Sequence, residues 1–384
     1  MYGGLLNNGT TCNQGSLVIK RCVLVSPYAM SVPGGVQEQV LAMSRDLSRR
    51  GVEVLLLAPD SDDEFQLSTP AHVERFGKLL SLPANGSKAP VTLSWSAARK
   101  AFDAISTFDP QIVHFHEPFA PLLGWKALLA HKFASVGTIH RSGAGPAISL
   151  TRPLLAKLSR GIDLFTAVSE MAAETYTSSL AAKPRVLFNG FEIERFQEFP
   201  LSRPTTPTFL VIGRLEERKG VDTAIGAVQL HNRSSDEKWK LRIIGDGPEG
   251  NRLRSLSESD STIEFLGRVS DEIKRQEIRS ASALVAPSLH GESFGLILIE
   301  AMASEIPVVA SDIDGYRQAS GSHAILVPPS DPAKLVAGMQ TALTGSSNEQ
   351  RASVLSYARH WSMEALMDFY LDFYDEAIQR FDCV

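Results

Sequence analysis

Apolar positions along the chain switch period in a regular way. Residues 17–26 form a short run of strand character. After a loop at 27–33, Gly34 and Gly35 open a segment whose apolar residues fall at Val36, Val40, Met43 and Leu47, the spacing of one helix face. Gly51 ends that helix, and 52–58 is a continuous apolar run of the kind buried on both faces of a parallel sheet. The same strand–loop–helix–strand grammar continues through strands at 112–116, 136–140 and 164–168, separated by helical stretches such as 97–108 and 171–180. A change to Pro, Ser, Arg and Thr over 199–207 predicts an interdomain linker. The pattern then restarts: strand 208–212, loop 213–220, helix 221–230, strand 240–245, and further strands at 262–265, 283–286 and 307–310. In the last stretch, 362–380, Met363, Leu366, Met367, Tyr370, Phe373 and Tyr374 make one broad apolar face of a long helix. Its Asp368, Asp372, Asp375 and Glu376 are expected to be solvated.

Strands alternating with helices predict an α/β protein with parallel, doubly wound sheets. The expected division is a flexible N-terminal extension (1–16), a first Rossmann-like domain (17–199), a linker (200–207), a second Rossmann-like domain (208–360) and a closing C-terminal helix (361–384). In such sheets ligands bind beyond the carboxyl ends of the strands, so an active site is expected in a cleft between the two domains.

Composition narrows the function. A 384-residue chain that is 43% hydrophobic and 21% charged is neither disordered nor a small disulfide scaffold. With 38 basic against 43 acidic side chains, the chain lacks the basic excess of a nucleic-acid binder. The first 200 residues carry 19 basic and 17 acidic groups and the remainder 19 and 26, which favours the N-terminal half for approach to anionic groups. Cys12, Cys22 and Cys383 are odd in number and lack metal-ligand spacing, so free thiols in a reducing compartment are expected. No apolar run approaches the roughly 18–20 residues that span a bilayer, and 1–16 lacks the regions of a signal peptide. A cytoplasmic protein is expected, touching a membrane only at its inner face and only peripherally.

Three motifs carry chemistry. Pro33-Gly34-Gly35-Val36-Gln37 lies between the first strand and the first helix, where glycines let backbone N–H groups approach an anion; its spacing is not that of a nicotinamide-binding turn. Gly213-Arg214-Leu215-Glu216-Glu217-Arg218-Lys219-Gly220 sets Arg214 and Lys219 at the carboxyl end of a strand, two cations suited to a diphosphate, with Arg218 read as solvated. His290-Gly291-Glu292-Ser293-Phe294-Gly295 followed by Leu296 through Glu300 puts two carboxylates eight positions apart, Glu292 in a loop and Glu300 in an apolar helix. A carboxylate there needs partners, and sugar hydroxyls supply them: ribose suits Glu300 and a hexose Glu292. The helix start at Phe294-Gly295 offers N–H groups to phosphate. His140, at a strand end, is a further candidate. His114 and His116 point to the same side of one strand without a third metal ligand, and no Asp-x-Asp pair is set to bridge a metal to a diphosphate.

Gly213-Arg214 with Lys219, and Glu292 with Glu300, resemble the motifs of the family 4 retaining glycosyltransferases of the GT-B fold. The resemblance runs from about residue 17 to the C-terminus. Pro27-Tyr28, Pro33-Gly34-Gly35-Val36-Gln37, His114-Phe115-His116-Glu117-Pro118 and His140 are similar to the GDP-mannose-dependent phosphatidylinositol α-mannosyltransferases. The resemblance implies a nucleotide-sugar donor, GDP-mannose, and a lipid or small-molecule acceptor, with no tightly bound cofactor and no evident metal requirement. By matching position it implies that Arg214 and Lys219 hold the diphosphate, Gly35 offers its backbone to the distal phosphate, and Glu300 holds ribose. Glu292 and His140 contact the transferred sugar. Val269, Asp271 and Lys274 meet the base, while Tyr28 and Gln37 lie towards the acceptor. The basic cluster expected on the membrane-docking helix is Arg99-Lys100 here. The competing readings are the same chemistry on another lipid, an inositol phosphate or a soluble sugar, and a nucleotide-sugar-binding protein without turnover.

Overall fold

The computed structural model describes residues 19–31, 34–60, 69–84, 87–120, 122–141, 146–176, 183–202, 204–292, 295–344 and 347–383. The expected extension 1–16, the end of the helix expected over 171–180, and the candidate Phe294 lie outside them. The chain divides into two compact units, Met1–Asn189 with Leu366–Val384, and Gly190–Ala365.

The first unit runs β1 (Arg21–Val25), α1 (Gly35–Arg49), β2 (Glu53–Pro59), β3 (His72–Phe76), β4 (Leu80–Ala84), β5 (Ser87–Val91), α2 (Trp95–Phe108), β6 (Ile112–His116), α3 (Trp125–Ala130), β7 (Ser135–Ile139), α4 (Pro146–Ser159), β8 (Leu164–Ala167), α5 (Glu170–Thr175) and β9 (Arg185–Val186). Its seven-stranded sheet has the order β3-β2-β1-β6-β7-β8-β9, and every pairing in it is parallel. Strands β4 and β5 pair separately as an antiparallel ribbon. The direction of winding reverses between β1 and β6, the switch point at which doubly wound sheets open a crevice. Cys22 to Val25 and Val54 to Ala58 are buried, as continuous apolar runs in a covered parallel sheet should be.

The second unit runs β10 (Thr208–Ile212), α6 (Val221–Ser234), β11 (Lys240–Ile244), α7 (Gly250–Leu256), β12 (Ile263–Gly267), α8 (Asp271–Ser280), β13 (Ala283–Ala286), α9 (Leu296–Ala303), β14 (Val308–Ser311), α10 (Asp314–Ser320), β15 (Ile325–Val327), α11 (Pro332–Leu343) and α12 (Asn348–Arg359). Its parallel sheet has the order β12-β11-β10-β13-β14-β15 and reverses between β10 and β13. Phe209, Trp239, Leu241, Ile243 and Met339 sit in its core. The Pro-containing stretch 199–207 lies within this unit, where Arg279 Nε donates to Phe199 O at 2.9 Å and Ser202 N to Arg279 O at 3.2 Å.

The last helix, α13 (Met363–Asp382), belongs from Leu366 onward to the first unit. Met363, Leu366, Met367, Tyr370, Phe373 and Tyr374 are all buried, as their spacing predicts. The acidic face is exposed at Asp368 and Asp372, as expected, and half-buried at Asp375 and Glu376. Asp368 pairs with Arg50 NH1 at 2.7 Å, and Glu376 with Arg185 at 2.7 Å and Arg380 at 2.7 Å. Two of these carboxylates therefore tie the helix to the first unit.

Candidate functional site

In the second unit the candidates gather at the carboxyl ends of β10, β12 and β13. After β10 the chain turns through Arg214 and a short 3-10 turn, Glu217–Lys219, to Gly220, which caps α6. Gly220 has φ +59°, and a Cβ there would lie 2.2 Å from Pro287 O, so the β10 loop is pressed against the β13 loop with no room for a side chain. Gly220→Ala is therefore expected to lower the unfolding free energy by more than about 2 kcal/mol in urea titration, from strain and backbone collision together.

That close approach brings Lys219 to Glu292. Lys219 Nζ lies 2.6 Å from Glu292 Oε1, Arg218 NH1 lies 3.0 Å from the same oxygen, and Ser288 Oγ donates to it at 3.1 Å. All three bonds fall on Oε1. Arg218 is thus not the solvated residue expected from sequence; it bridges Glu292 and Glu216, the latter through Nε at 2.9 Å. Arg214 is 65% exposed and touches Glu216 Oε1 at 3.1 Å. Ser288 also bonds the hydroxyl of Tyr316, at 2.8 Å, and burial raises the Tyr316 hydroxyl well above its ordinary range. Tyr316 in turn packs where a Cβ on Gly295 would come, 2.7 Å away, which explains the glycine with φ +81° at the start of α9. Gly295 caps α9 without a side chain, and Leu298 N donates to Gly295 O at 2.9 Å.

Glu300, on α9, is 17% exposed and its Oε1 lies 3.1 Å from Lys274 Nζ. Lys274 also meets Asp271, at 3.2 Å. Although burial works against its charge, the carboxylates of Glu300 and Asp271 outweigh it and hold the Lys274 ammonium above its ordinary pKa. Asp271 is drawn below the ordinary carboxylate range because Lys274, Arg195 and Arg275 outweigh its own burial. Its bonds to Arg275 at 2.6 Å and Arg195 at 3.1 Å make it an anchor of α8, and Val269 sits half-buried in the turn between β12 and that helix.

In the first unit the candidates gather beyond β1, β6 and β7. Gly35 is the first residue of α1, and among the described residues nothing stands within 4 Å of where its Cβ would be and no side chain caps the helix. Gln37 is buried, its Nε2 donating to Ala29 O at 3.4 Å, so it supports the loop after β1. Burial, followed by the neighbouring Glu117, pushes the Tyr28 hydroxyl up to about 12. Glu117, at the end of β6, accepts the backbone N–H groups of both His140 and Arg141 on Oε1. Burial raises its carboxyl from 4.5 to about 7, against the pull of those two N–H groups and the Arg141 charge. His140 Nε2 lies 2.9 Å from His116 Nδ1. His114 stacks on His116 at 4.3 Å, with both of its own ring nitrogens engaged, by Tyr374 at 2.7 Å and Thr138 at 2.6 Å. That engagement leaves His114 nothing to offer a metal. Burial holds His114 at about 3 and His140 at about 4, so both rings are neutral.

Two family models meet this chain: one described as Glycosyltransferase Family 4 matches residues 33–195, and one described as Glycosyl transferases group 1 matches 192–361. A phosphatidyl-myo-inositol mannosyltransferase from Mycolicibacterium smegmatis is 35% identical over 333 residues, covering 85% of this chain and 84% of that protein. The chain belongs to glycosyltransferase family 4. Among solved structures, a glycosyltransferase from Rickettsia africae ESF-5 matches this family 4 enzyme with TM-score 0.69 at 16% identity, covering 94% of this chain and all of that one. Sucrose-phosphate synthase from Thermosynechococcus elongatus matches with TM-score 0.63 at 20% identity, covering 95% of this chain and all of its own. These structures share the GT-B fold, and the donor of such an enzyme is a nucleotide sugar.

Of the residues that sequence singled out, the second unit brings Lys219 to Glu292 and Lys274 to both Glu300 and Asp271, with Arg214 on Glu216, and the first brings His140 and Tyr28 to Glu117. Sequence reasoning missed Ser288 and Tyr316 behind Glu292, and it placed His116 and Glu117 in a motif without giving either a task. The available signal for Glu117 was its place: a carboxylate directly after a five-residue strand that is buried throughout must find donors. No helix among the described residues is long and apolar enough to cross a membrane.

Proposed function

We propose that this glycosyltransferase moves mannose from GDP-mannose, with retention of configuration, to a phosphatidylinositol-type lipid. The observation that carries the proposal is the activity named for the M. smegmatis relative, met here by side chains suited to that chemistry. Arg214 and Lys219 would face the diphosphate and stabilise the charge that develops on it as the sugar departs, and the start of α9 adds N–H groups. Departure on the same face as attack lets a diphosphate oxygen take the acceptor's proton, so no side-chain base is assigned. Glu292, with Oε1 saturated by three donors, would meet sugar hydroxyls through Oε2. Phe294 and Gly295 are assigned to phosphate, Gly35 to the distal phosphate, and Val269, Asp271 and Lys274 to the base. Side-chain cations supply the countercharge, so the proposal includes no metal.

Glu300 is assigned to ribose. Losing a charge-assisted pair of hydroxyl bonds at about 1.5–3 kcal/mol should raise the donor KM of Glu300→Gln about 10- to 100-fold with kcat little changed, measured by steady-state kinetics.

Peripheral membrane contact at the cytoplasmic face belongs to the same proposal. Leu93 and Trp95 are 45% and 48% exposed beside the exposed Arg99 and Lys100 of α2, an apolar tip with a basic flank. Sedimentation with anionic vesicles is expected; failure to pellet would move the acceptor to an inositol phosphate or a soluble sugar. For the donor, saturating GDP should raise the melting temperature by about 2–4 °C and UDP should not. Stabilisation by UDP alone would overturn the guanine assignment.

A further inference from the structure

Three histidines stand in a row along β6 and at the end of β7, and only one of them has been assigned a task. His116 and His140 share one hydrogen bond, Nδ1 to Nε2 at 2.9 Å, and their rings stack at 5.2 Å. Burial holds both rings neutral, so each carries a single N–H and one of the two must donate. Two arrangements are possible. If His140 donates from Nε2, His116 must carry its own proton on Nε2. That atom is buried and has no partner among the described residues. If His116 donates from Nδ1, its Nε2 holds only a lone pair, and His140 carries its proton on Nδ1. An orphaned buried N–H is costlier than an unpaired acceptor, so the second arrangement is the stable one.

We propose that His116 is a positioning residue that fixes His140 as the Nδ1–H tautomer, so that His140 offers a neutral hydrogen-bond donor to an oxygen of the transferred sugar. The sugar contact rests on the role assigned to His140 under the proposed function; the tautomer does not. The surroundings hold both rings in place. His114, fixed by Tyr374 and Thr138, stacks beneath His116 with 19° between planes, and Glu117 grips the His140 backbone N–H. A consequence is that His140 is not a general base: its only lone-pair nitrogen is occupied by His116.

The test is a long-range proton–nitrogen correlation spectrum of the full chain labelled with 15N-histidine, with the His140 pattern assigned by its loss in His140→Asn. The wild type should show His140 protonated at Nδ1 and unprotonated at Nε2; the opposite pattern would overturn the proposal. His116→Phe keeps the ring volume without the bond and should turn His140 to the Nε2–H form, with kcat/KM for the donor falling about tenfold. His116→Asn, whose amide can donate from nearly the same place, should restore the wild-type pattern and recover activity to within about threefold. It also supplies the comparison if the Phe variant does not fold. An Nδ1–H wild type with unchanged donor kinetics in both variants would uphold the tautomer and overturn the sugar contact.

Discussion

Arg214→Ala should lower kcat about 10²- to 10³-fold while leaving the unfolding free energy within about 0.5 kcal/mol of wild type. The two halves of this expectation have separate causes. Arg214 is 65% exposed and its ion pair to Glu216 is of the solvated kind that contributes little to stability. Its proposed work is at the transition state, where a fixed cation meets charge on the departing diphosphate. Lys219 differs: it is 20% exposed and bonded to Glu292 at 2.6 Å, so its removal would disturb both the loop and the chemistry. Arg214 is therefore the cleaner probe. Stopped assays at saturating donor, beside urea titrations, check it; an unchanged kcat would remove Arg214 from the leaving-group role.

Glu117→Gln should change the pH dependence of stability. The folded-state pKa of Glu117 is raised from 4.5 to about 7, chiefly by burial. A raised carboxyl contributes stability that is fully present below pH 4.5 and is lost as pH rises through about 7, because ionising it inside costs more than ionising it unfolded. At 1.36 kcal/mol per pH unit, a window of that width amounts to about 3 kcal/mol. The glutamine keeps an oxygen for the His140 and Arg141 N–H groups and cannot ionise. Wild-type stability relative to Glu117→Gln should therefore fall by about 3 kcal/mol between pH 4.5 and pH 7.5 in denaturant titrations. Parallel curves across that range would show that Glu117 ionises in the folded state as easily as in the unfolded one.

Much of the architecture was legible because parallel, covered strands write themselves as continuous apolar runs. β2, β8, β10 and β13 are of this kind, and their buried patterns follow the sequence closely. β3, His72–Phe76, was not legible: it is a half-exposed edge whose His, Glu and Arg carry no apolar signal. β15 is an edge strand of three residues, too short for any period to show. The ribbon of β4 and β5 contains Pro83 and Pro90, which in sequence argue against strands. The face of α13 was legible from its spacing, but its seat was not, since Tyr374 meets His114 across 260 positions. The site divides the same way. Arg214, Lys219, Glu292 and Glu300 stand out because glycines and strand ends punctuate them. The Ser288–Tyr316 bond, spanning 28 positions, and the His116–His140 bond, spanning 24, exist only once neighbouring strands and helices have been brought side by side.

Transfer of mannose to an inositol lipid is read from its product. The purified chain is incubated with GDP-mannose and phosphatidylinositol vesicles, and the lipid fraction is analysed by mass spectrometry and NMR for a mannosylated inositol lipid. The expected product carries one added hexose in α linkage, forms in step with GDP release, and is lost in Arg214→Ala. GDP release with no mannose entering the lipid, or a β-linked product, would contradict the account.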